Sequence, residues 1–394
     1  MVLKNTEKQL IEILSAFVND RKPQINTAEC SASELYDIAK RQTVTGIASY
    51  VLRKYGYEEI LADNERLALA FDKTVTQFVR KEFEAVKLMS MLNAAEIPHI
   101  TFKGFVVREC YPVSELRTYS DIDIIIKEED RKRSHELMIA KGYEFSVMDG
   151  GAVYGYKKGK EFFEIHTTLN SEKTKLSDCM SNYWNYTVKR DGFTYEFEKN
   201  FHLSYLISHI EKHVYGTGAG LRLYLDIALF LKKYKSELDL VKVRGILRGC
   251  ELEKFFDTVL YLCRLWFESD VTPLNELDEK VYGDFCRIIL EGGTFGDQTD
   301  IAASDNEIRM AVKENGKVNK FALVMKHIFP SYDVVRHLYP FFNGKPYLLP
   351  VGWVIHFVDG ARRSGLKNIK KVVKGNVEEA NKEKELLEKI GSSR

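Results

Sequence analysis

The sequence has no C-x-x-C pair, no long apolar run, few prolines and no excess of either charge, and each absence excludes something. With 58 Lys and Arg against 57 Asp and Glu, the net charge of +1 gives no global attraction to nucleic acid or to an anionic membrane. That balance argues against a long nucleic-acid partner, while leaving room for a local basic groove. The six cysteines, Cys30, Cys110, Cys179, Cys250, Cys263 and Cys286, are too scattered for a zinc ribbon or a disulfide framework. Buried free thiols in a reducing compartment are expected. The opening MVLKNTEKQLIEIL is amphipathic and lacks the apolar centre and cleavage site of a signal peptide. The stretch Tyr347 to Val358 is interrupted by Pro350, Gly352 and His356 and is too short to span a bilayer. A cytoplasmic protein without a membrane partner is expected.

What is present is an ordinary globular composition, 45% hydrophobic and 29% charged over 394 residues, enough for a large core. Length suggests two or three domains. Residues 1–95 read as helical, with Leu10, Ile11, Leu14 and Phe17, then Leu35, Ile38, Ala39 and Val44, at helical spacing. A helix from about Glu65 to Ala95 is expected to turn Ala70, Val75, Phe78, Val79 and Phe83 to a core. From His99 the texture changes. HITF (99–102), DIDIIIK (121–127), YEFSV, AVYGYKK and EFFEIHTT read as strands, with a helix over 128–142 ending at Gly142. The helical period returns near Phe201 and continues through LRLYLDIALFLKKY. The Lys/Glu-rich end reads as an exposed, frayed helix. The fold class expected is α/β (α+β): a small mixed-sheet core with large helical flanks. The expected division is 1–95 helical, 96–200 α/β core, 201–367 mainly helical and 368–394 charged tail.

Asp121 and Asp123 are two apart on an expected strand, so both carboxylates point to one face. Ile122, Ile124 and Ile126 point the other way. Paired carboxylates at a core edge repel unless a cation sits between them, and hard oxygen donors favour Mg²⁺ or Mn²⁺. Glu164, on a later strand with Phe162 and His166 on its face, offers a third carboxylate. Lys103-Gly104 follows a strand and opens a helix, where backbone N–H groups and a cation suit phosphate. Ser120 and Arg117 stand close in sequence to the acidic pair and suit phosphate contacts. Taken alone, each of these pieces is also what a polar turn or a solvated strand end looks like.

Other clusters admit two readings. His209 and His213 are i,i+4 on a helix, without the glutamate of H-E-x-x-H, so cleft lining or packing is favoured over zinc, and His202 lies on the same stripe. Arg222 and Asp226, also i,i+4, form either an intrahelical ion pair or a cleft pair. EGGTFG (291–296) lacks a Walker lysine and reads as a structural turn.

In order along the chain, KG (103–104), YP (111–112), LR (116–117), SDIDIII (120–126), KGY (141–143) and FFEIH (162–166) resemble minimal nucleotidyltransferases of the DNA polymerase β type. More narrowly, they are similar to the branch known as uncharacterised nucleotidyltransferases. The resemblance continues through HIEKHVYGTGAGLRLYLDIALFL (209–231), EGGTFG, FPSYDVVRHLYP (329–340) and YLLPVGWV (347–354), covering roughly residues 95–360. It implies an NTP-dependent, metal-assisted transferase in which Asp121, Asp123 and Glu164 bind Mg²⁺ or Mn²⁺. Lys103, Gly104, Arg117, Ser120 and His166 would then meet the nucleotide, with His209, His213, Arg222 and Asp226 beside the cleft. The wider superfamily has Gly-Ser or Gly-Gly after the first strand; here Phe105 follows Gly104, so a serine–phosphate contact is missing. The acceptor, whether small molecule, protein or RNA, is not identified. The alternative is a non-catalytic nucleotide-binding or interaction protein on the same fold.

Overall fold

The alternating isoleucines of Ile122–Ile126 form the central strand of a mixed sheet, every residue of it buried. The computed structural model describes residues 3–119, 121–148, 153–169, 179–216, 218–293, 325, 328–342, 344–363 and 377–392. These residues fall into two compact units, Met1–Gly296 with Ile390–Ser393, and Asp297–Lys389. The N-terminal helices and the sheet, expected as separate regions, thus share one unit.

In the first unit the amino-terminal helices are α1 (Asn5–Asn19), α2 (Ala32–Arg41), α3 (Thr45–Lys54), the short α4 (Glu58–Ala62) and α5 (Glu65–Ala68), and the long α6 (Ala70–Ala94). Ser31 caps α2 by accepting from the Glu34 backbone N–H. Leu10, Leu14 and Phe17 are buried as their spacing requires. The reading of residues 65–95 needs correction. The helix breaks at Leu69, and Val79 and Phe83 are 60% and 68% exposed. Ala70 is buried as expected and Phe78 packs against the core, but the remaining buried positions of α6 are Thr74, Ala85, Leu88 and Leu92. The buried stripe thus keeps Ala70 and Phe78 but passes Val79 and Phe83 by, reaching the sheet through Ala85, Leu88 and Leu92.

The strands are β1 (His99–Thr101), β2 (Ile122–Ile126), β3 (Glu144–Met148), β4 (Val153–Lys158), β5 (Glu161–His166), β6 (Thr187–Asp191) and β7 (Thr194–Phe197). Their order is β3-β4-β5-β2-β1-β7-β6, with β2–β5 and β1–β7 parallel and the other pairs antiparallel. Between β1 and β2 lie the one-turn helix α7 (Gly104–Val107) and two 3₁₀ turns, Arg108–Cys110 and Ser114–Leu116, and α8 (Arg131–Ala140) follows β2. Gly142, at φ +78°, ends that helix with its N–H bonded to the Ile139 carbonyl. One face of the sheet packs Ile122, Ile124, Ile126, Phe163 and Ile165 against Ala85, Leu88 and Leu92 of α6 and Met138 of α8.

After the sheet come α9 (Lys199–Gly216), α10 (Leu221–Lys233), α11 (Leu240–Gly249), α12 (Glu253–Phe267) and α13 (Glu279–Gly292). Every residue of α10 from Leu221 to Leu231 is buried, which makes it the inner helix of this layer. Cys179 and Cys250 are joined in a disulfide, with Cα atoms 5.7 Å apart across 71 residues of sequence. The expectation of six free thiols is therefore wrong for this pair. Packing brings the two together where sequence spacing gave no sign of it, and the argument from thiols to a reducing compartment loses its footing. Cys30, Cys110, Cys263 and Cys286 are free.

The second unit contains α14 (Tyr332–Leu338), α15 (Leu349–Arg363) and most of α16 (Val377–Ile390). Gly352 lies against Val335, where a Cβ would come within 2.6 Å of the valine side chain. α16 is not a wholly exposed tail: Ala380, Leu386, Leu387 and Ile390 are buried. Four apolar side chains at near-helical spacing suffice for a packed stripe in an otherwise charged helix. The Ile390 carbonyl accepts from Thr258, and Ser392 donates to Glu211, within the first unit. No helix among the described residues is long and apolar enough to cross a membrane.

Candidate active site

Parallel pairing of β2 with β5 sets Asp123 opposite Glu164 and Ile125 opposite His166. Adjacent strands lie about 4.8 Å apart, so the paired carboxylates are neighbours on the face turned away from the isoleucine core. Glu164 and His166 are two apart on β5 and share that face. Donor atoms of Asp123, Glu164 and His166 all lie within 4.8 Å of one another. His166 Nε2 is 2.9 Å from Asp123 Oδ1 and 3.3 Å from Glu164 Oε2. Antiparallel pairing sets Thr101 of β1 opposite Ile124, so the chain leaving β1 passes the start of β2. There Lys103 places its Nζ 2.5 Å from Asp123 Oδ1. Lys103 stands at φ +52°, a conformation costing about 1–3 kcal/mol for a non-glycine residue and found mostly where function demands it.

Burial penalises the Asp123 charge, but the Lys103 ammonium and the His166 hydrogen bond outweigh it and hold this carboxyl well below the usual range. Burial likewise opposes the charge on Lys103, and Asp123 more than offsets it, so the ammonium titrates above its ordinary value. For His166, burial pushes the pKa down and hydrogen bonds to Asp123 and Glu164 push it up, with a net rise. Two carboxylates and an imidazole converging on one point are a donor set that suits a divalent cation. The ammonium already seated against Asp123 shows that the site accommodates positive charge.

Asp121 does not join this group. It stands one residue before β2, half-buried, where strand alternation does not yet fix its direction. Its charge acts on Lys103, Arg117, Arg222 and Lys81. The third donor beside Asp123 and Glu164 is His166, a residue expected to meet the nucleotide. Ser120 lies outside the described residues.

The model of a family described as uncharacterised nucleotidyltransferase matches residues 29–268, well over half of the chain. The chain belongs to this family. The crystal structure of the Megavirus polyadenylate synthase is also similar, at 11% identity, covering 72% of this chain and 48% of that one with a TM-score of 0.30. The chain thus spans about half the length of that viral protein, and so distant a likeness carries no argument about fold or reaction. None of the curated proteins matches the chain.

The other residues marked out in this nucleotidyltransferase family member divide between framework and cleft. Arg117, expected at a phosphate rim, is buried, and its fork is taken by Asp226: Nε is 3.2 Å from Oδ1 and Nη2 2.6 Å from Oδ2. Tyr111 donates to the same Oδ1 at 2.7 Å. Asp226 therefore pairs with Arg117 and not with Arg222, contrary to the intrahelical reading. A guanidinium fork matches a carboxylate in two places, which a flexible i,i+4 contact does not. Arg222 donates to the Thr118 carbonyl and, at 3.2 Å, to its hydroxyl. Burial first, then repulsion from Arg117, bring the Arg222 pKa down to about 10. Gly104 is explained by the same network, because a Cβ there would collide with Arg117 Nη1. The helix it opens is a single turn, too short to build the field that favours an anion.

On α9, His209 and His213 bring their Nε2 atoms to 3.2 Å. Burial holds His209 well below its ordinary pKa and His213 at about 4, so both are neutral at pH 7. Among the described residues they join no third metal donor. Tyr205 stacks on His209 with ring centroids 6.0 Å apart, and Phe102 lies against both Tyr205 and His166, at 5.5 and 5.7 Å. This aromatic chain links the histidine pair to the carboxylates. Tyr205 went unmarked in the sequence, although Tyr205, His209 and His213 share one helix face at i, i+4, i+8. His202 is a core residue, fully buried against Phe197 and Phe230.

Proposed function

We propose that this protein transfers a nucleotide from an NTP to an acceptor hydroxyl, with a divalent cation held at Asp123 and Glu164. The acceptor oxygen forms a bond to the α-phosphorus, the bond from that phosphorus to the bridging oxygen breaks, and pyrophosphate leaves. The hydroxyl proton passes to Glu164 or to solvent. A bound cation would stabilise the charge on the phosphates and lower the pKa of the attacking hydroxyl. Lys103 supplies a positive charge to the phosphates, and Asp121, at the entrance to β2, balances the cations around it. Catalysis on this reading is mainly positioning and electrostatic stabilisation. The observation that carries it is the register of Asp123 against Glu164 in a chain of this family.

The test is a transfer assay with labelled NTPs and a cell lysate, run with Mg²⁺ and with Mn²⁺, alongside a melting curve. Asp123→Asn should lose transfer while remaining folded. Full transfer by the folded variant would refute the reading. One observation favours a rival: the Lys103–Asp123 ion pair offsets one of the two carboxylate charges without any metal. A non-catalytic nucleotide binder would show metal-dependent NTP affinity but no labelled product from the wild-type chain.

A further inference from the structure

We propose that His166 is a direct ligand of the cation, so that the site takes a first-row transition ion such as Mn²⁺ in preference to Mg²⁺. The proposal rests on the reading above, in needing a cation at the carboxylates, and adds to it the third ligand and the class of ion.

The geometry comes first. Donors bound to one ion at roughly 2.1 Å are separated by about 3.0 Å in octahedral and about 3.4 Å in tetrahedral coordination. His166 Nε2 lies 2.9 Å from Asp123 Oδ1 and 3.3 Å from Glu164 Oε2, the spacing of two edges of a coordination face, and all three donors lie within 4.8 Å of one another. The backbone enforces that spacing. Asp123 and Glu164 are register partners, and Glu164 and His166 are alternate residues of one strand. The imidazole is buried and its ring lies edge-on to Phe102 at 84°, which limits rotation away from the carboxylates.

Chemistry comes second. Mg²⁺ strongly prefers oxygen and keeps much of its water, whereas imidazole nitrogen suits later ions. Replacing one carboxylate of a triad by imidazole exchanges an oxygen donor for nitrogen, which a transition ion accepts more readily than Mg²⁺ does. Asp121, the oxygen donor expected in that position, lies outside the group.

The competing account is that His166 only bridges the two carboxylates by hydrogen bonds. Electron paramagnetic resonance separates the two on the full-length chain. Mn²⁺ titration should show tight binding, with ¹⁴N coupling from a directly bound imidazole in the electron spin-echo modulation. Mg²⁺ should displace it only at tenfold or greater excess. His166→Gln should abolish the ¹⁴N coupling and weaken Mn²⁺ binding tenfold or more, the usual scale for loss of a ligand's support. Its Mg²⁺ affinity should change less than threefold. Bound Mn²⁺ without ¹⁴N coupling, coupling that survives His166→Gln, or Mg²⁺ competing on equal terms would each overturn the proposal. If the variant does not fold, the wild-type coupling and competition decide alone. Absence of any Mn²⁺ or Mg²⁺ binding would overturn both this proposal and the metal-dependent function. Coupled Mn²⁺ without transfer would remove the function and leave the ligand assignment standing.

Discussion

Asp226→Asn is the most informative perturbation of the framework beneath the site. Asp226 is buried on α10 and accepts three hydrogen bonds, two from Arg117 and one from Tyr111, between 2.6 and 3.2 Å. Asparagine keeps the size and one acceptor oxygen but leaves the Arg117 guanidinium charged and without a counter-ion. Breaking one side of such a buried pair costs about 3–5 kcal/mol, most of it the stranded charge. For a unit of this size each kcal/mol shifts Tm by roughly 2 °C, so a fall of roughly 6–10 °C is expected. The discriminating experiment is a cycle of melting curves with Arg117→Met, Asp226→Leu and the double variant. If the stranded charge dominates, the double variant loses clearly less than the sum of the single losses. The Tyr111 hydroxyl, deprived of its acceptor, keeps about 1–3 kcal/mol of that loss in place. A single-variant loss below 1 kcal/mol, or strict additivity, would refute the claim that Arg117 is a framework residue and return it to the phosphate rim.

Two further outcomes follow from the same structure. Gly104→Ala should push Arg117 off Gly104, lowering Tm and weakening NTP binding by calorimetry, and a variant with wild-type values would show that this close approach is dispensable. His202 is fully buried, neither ring nitrogen has a hydrogen-bond partner among the described residues, and burial followed by the Lys199 charge brings its pKa down to about 3. The unfolded chain therefore binds a proton below about pH 6.5 that the folded chain refuses, so stability is full above that pH and is lost as pH falls toward the folded value. About 2 kcal/mol should disappear between pH 8 and pH 5, and denaturant titrations of His202→Phe should lack that component.

The parts of the site that were legible in the sequence are those governed by strand alternation. Asp123 and Glu164 are each flanked by large apolar residues, which marked both as standing off the apolar face of their own strands, and the β2–β5 register then makes them neighbours. Residue Asp121 shares the pattern on paper but precedes the strand, so the rule did not bind it. The Arg117–Asp226 pair spans 109 residues, and a nearer partner at i,i+4 concealed it. The disulfide between Cys179 and Cys250 spans 71 residues, and no spacing signal marked it. The hairpin β6–β7 was legible in principle from Asp191-Gly192, a turn pair that favours positive φ, and Gly192 does adopt φ +51°. It was passed over because its strands are short and polar, with β6 mostly exposed.

The cations around the site are not equivalent, and the difference decides which of them can answer a nucleotide. Arg117 can turn to a phosphate only by giving up both bonds to Asp226. Arg222 is fixed to Thr118 on the same loop. Both are planar groups whose direction is set by their partners, so moving either one moves α10 or the loop. Lys103 is different. Its ammonium sits on a flexible four-carbon stem and meets Asp123 as a point charge, so it can exchange one acceptor for another by rotating its own side chain. Its backbone is held at positive φ at the end of β1, so the stem starts from a fixed origin. If the proposed cation binds at Asp123, it would repel that ammonium, and the phosphates of the accompanying nucleotide would offer the nearest new negative charge. On the proposed function, a cation at Asp123 would have to replace the Lys103 contact, and Lys103 could follow the phosphates by rotating its own side chain.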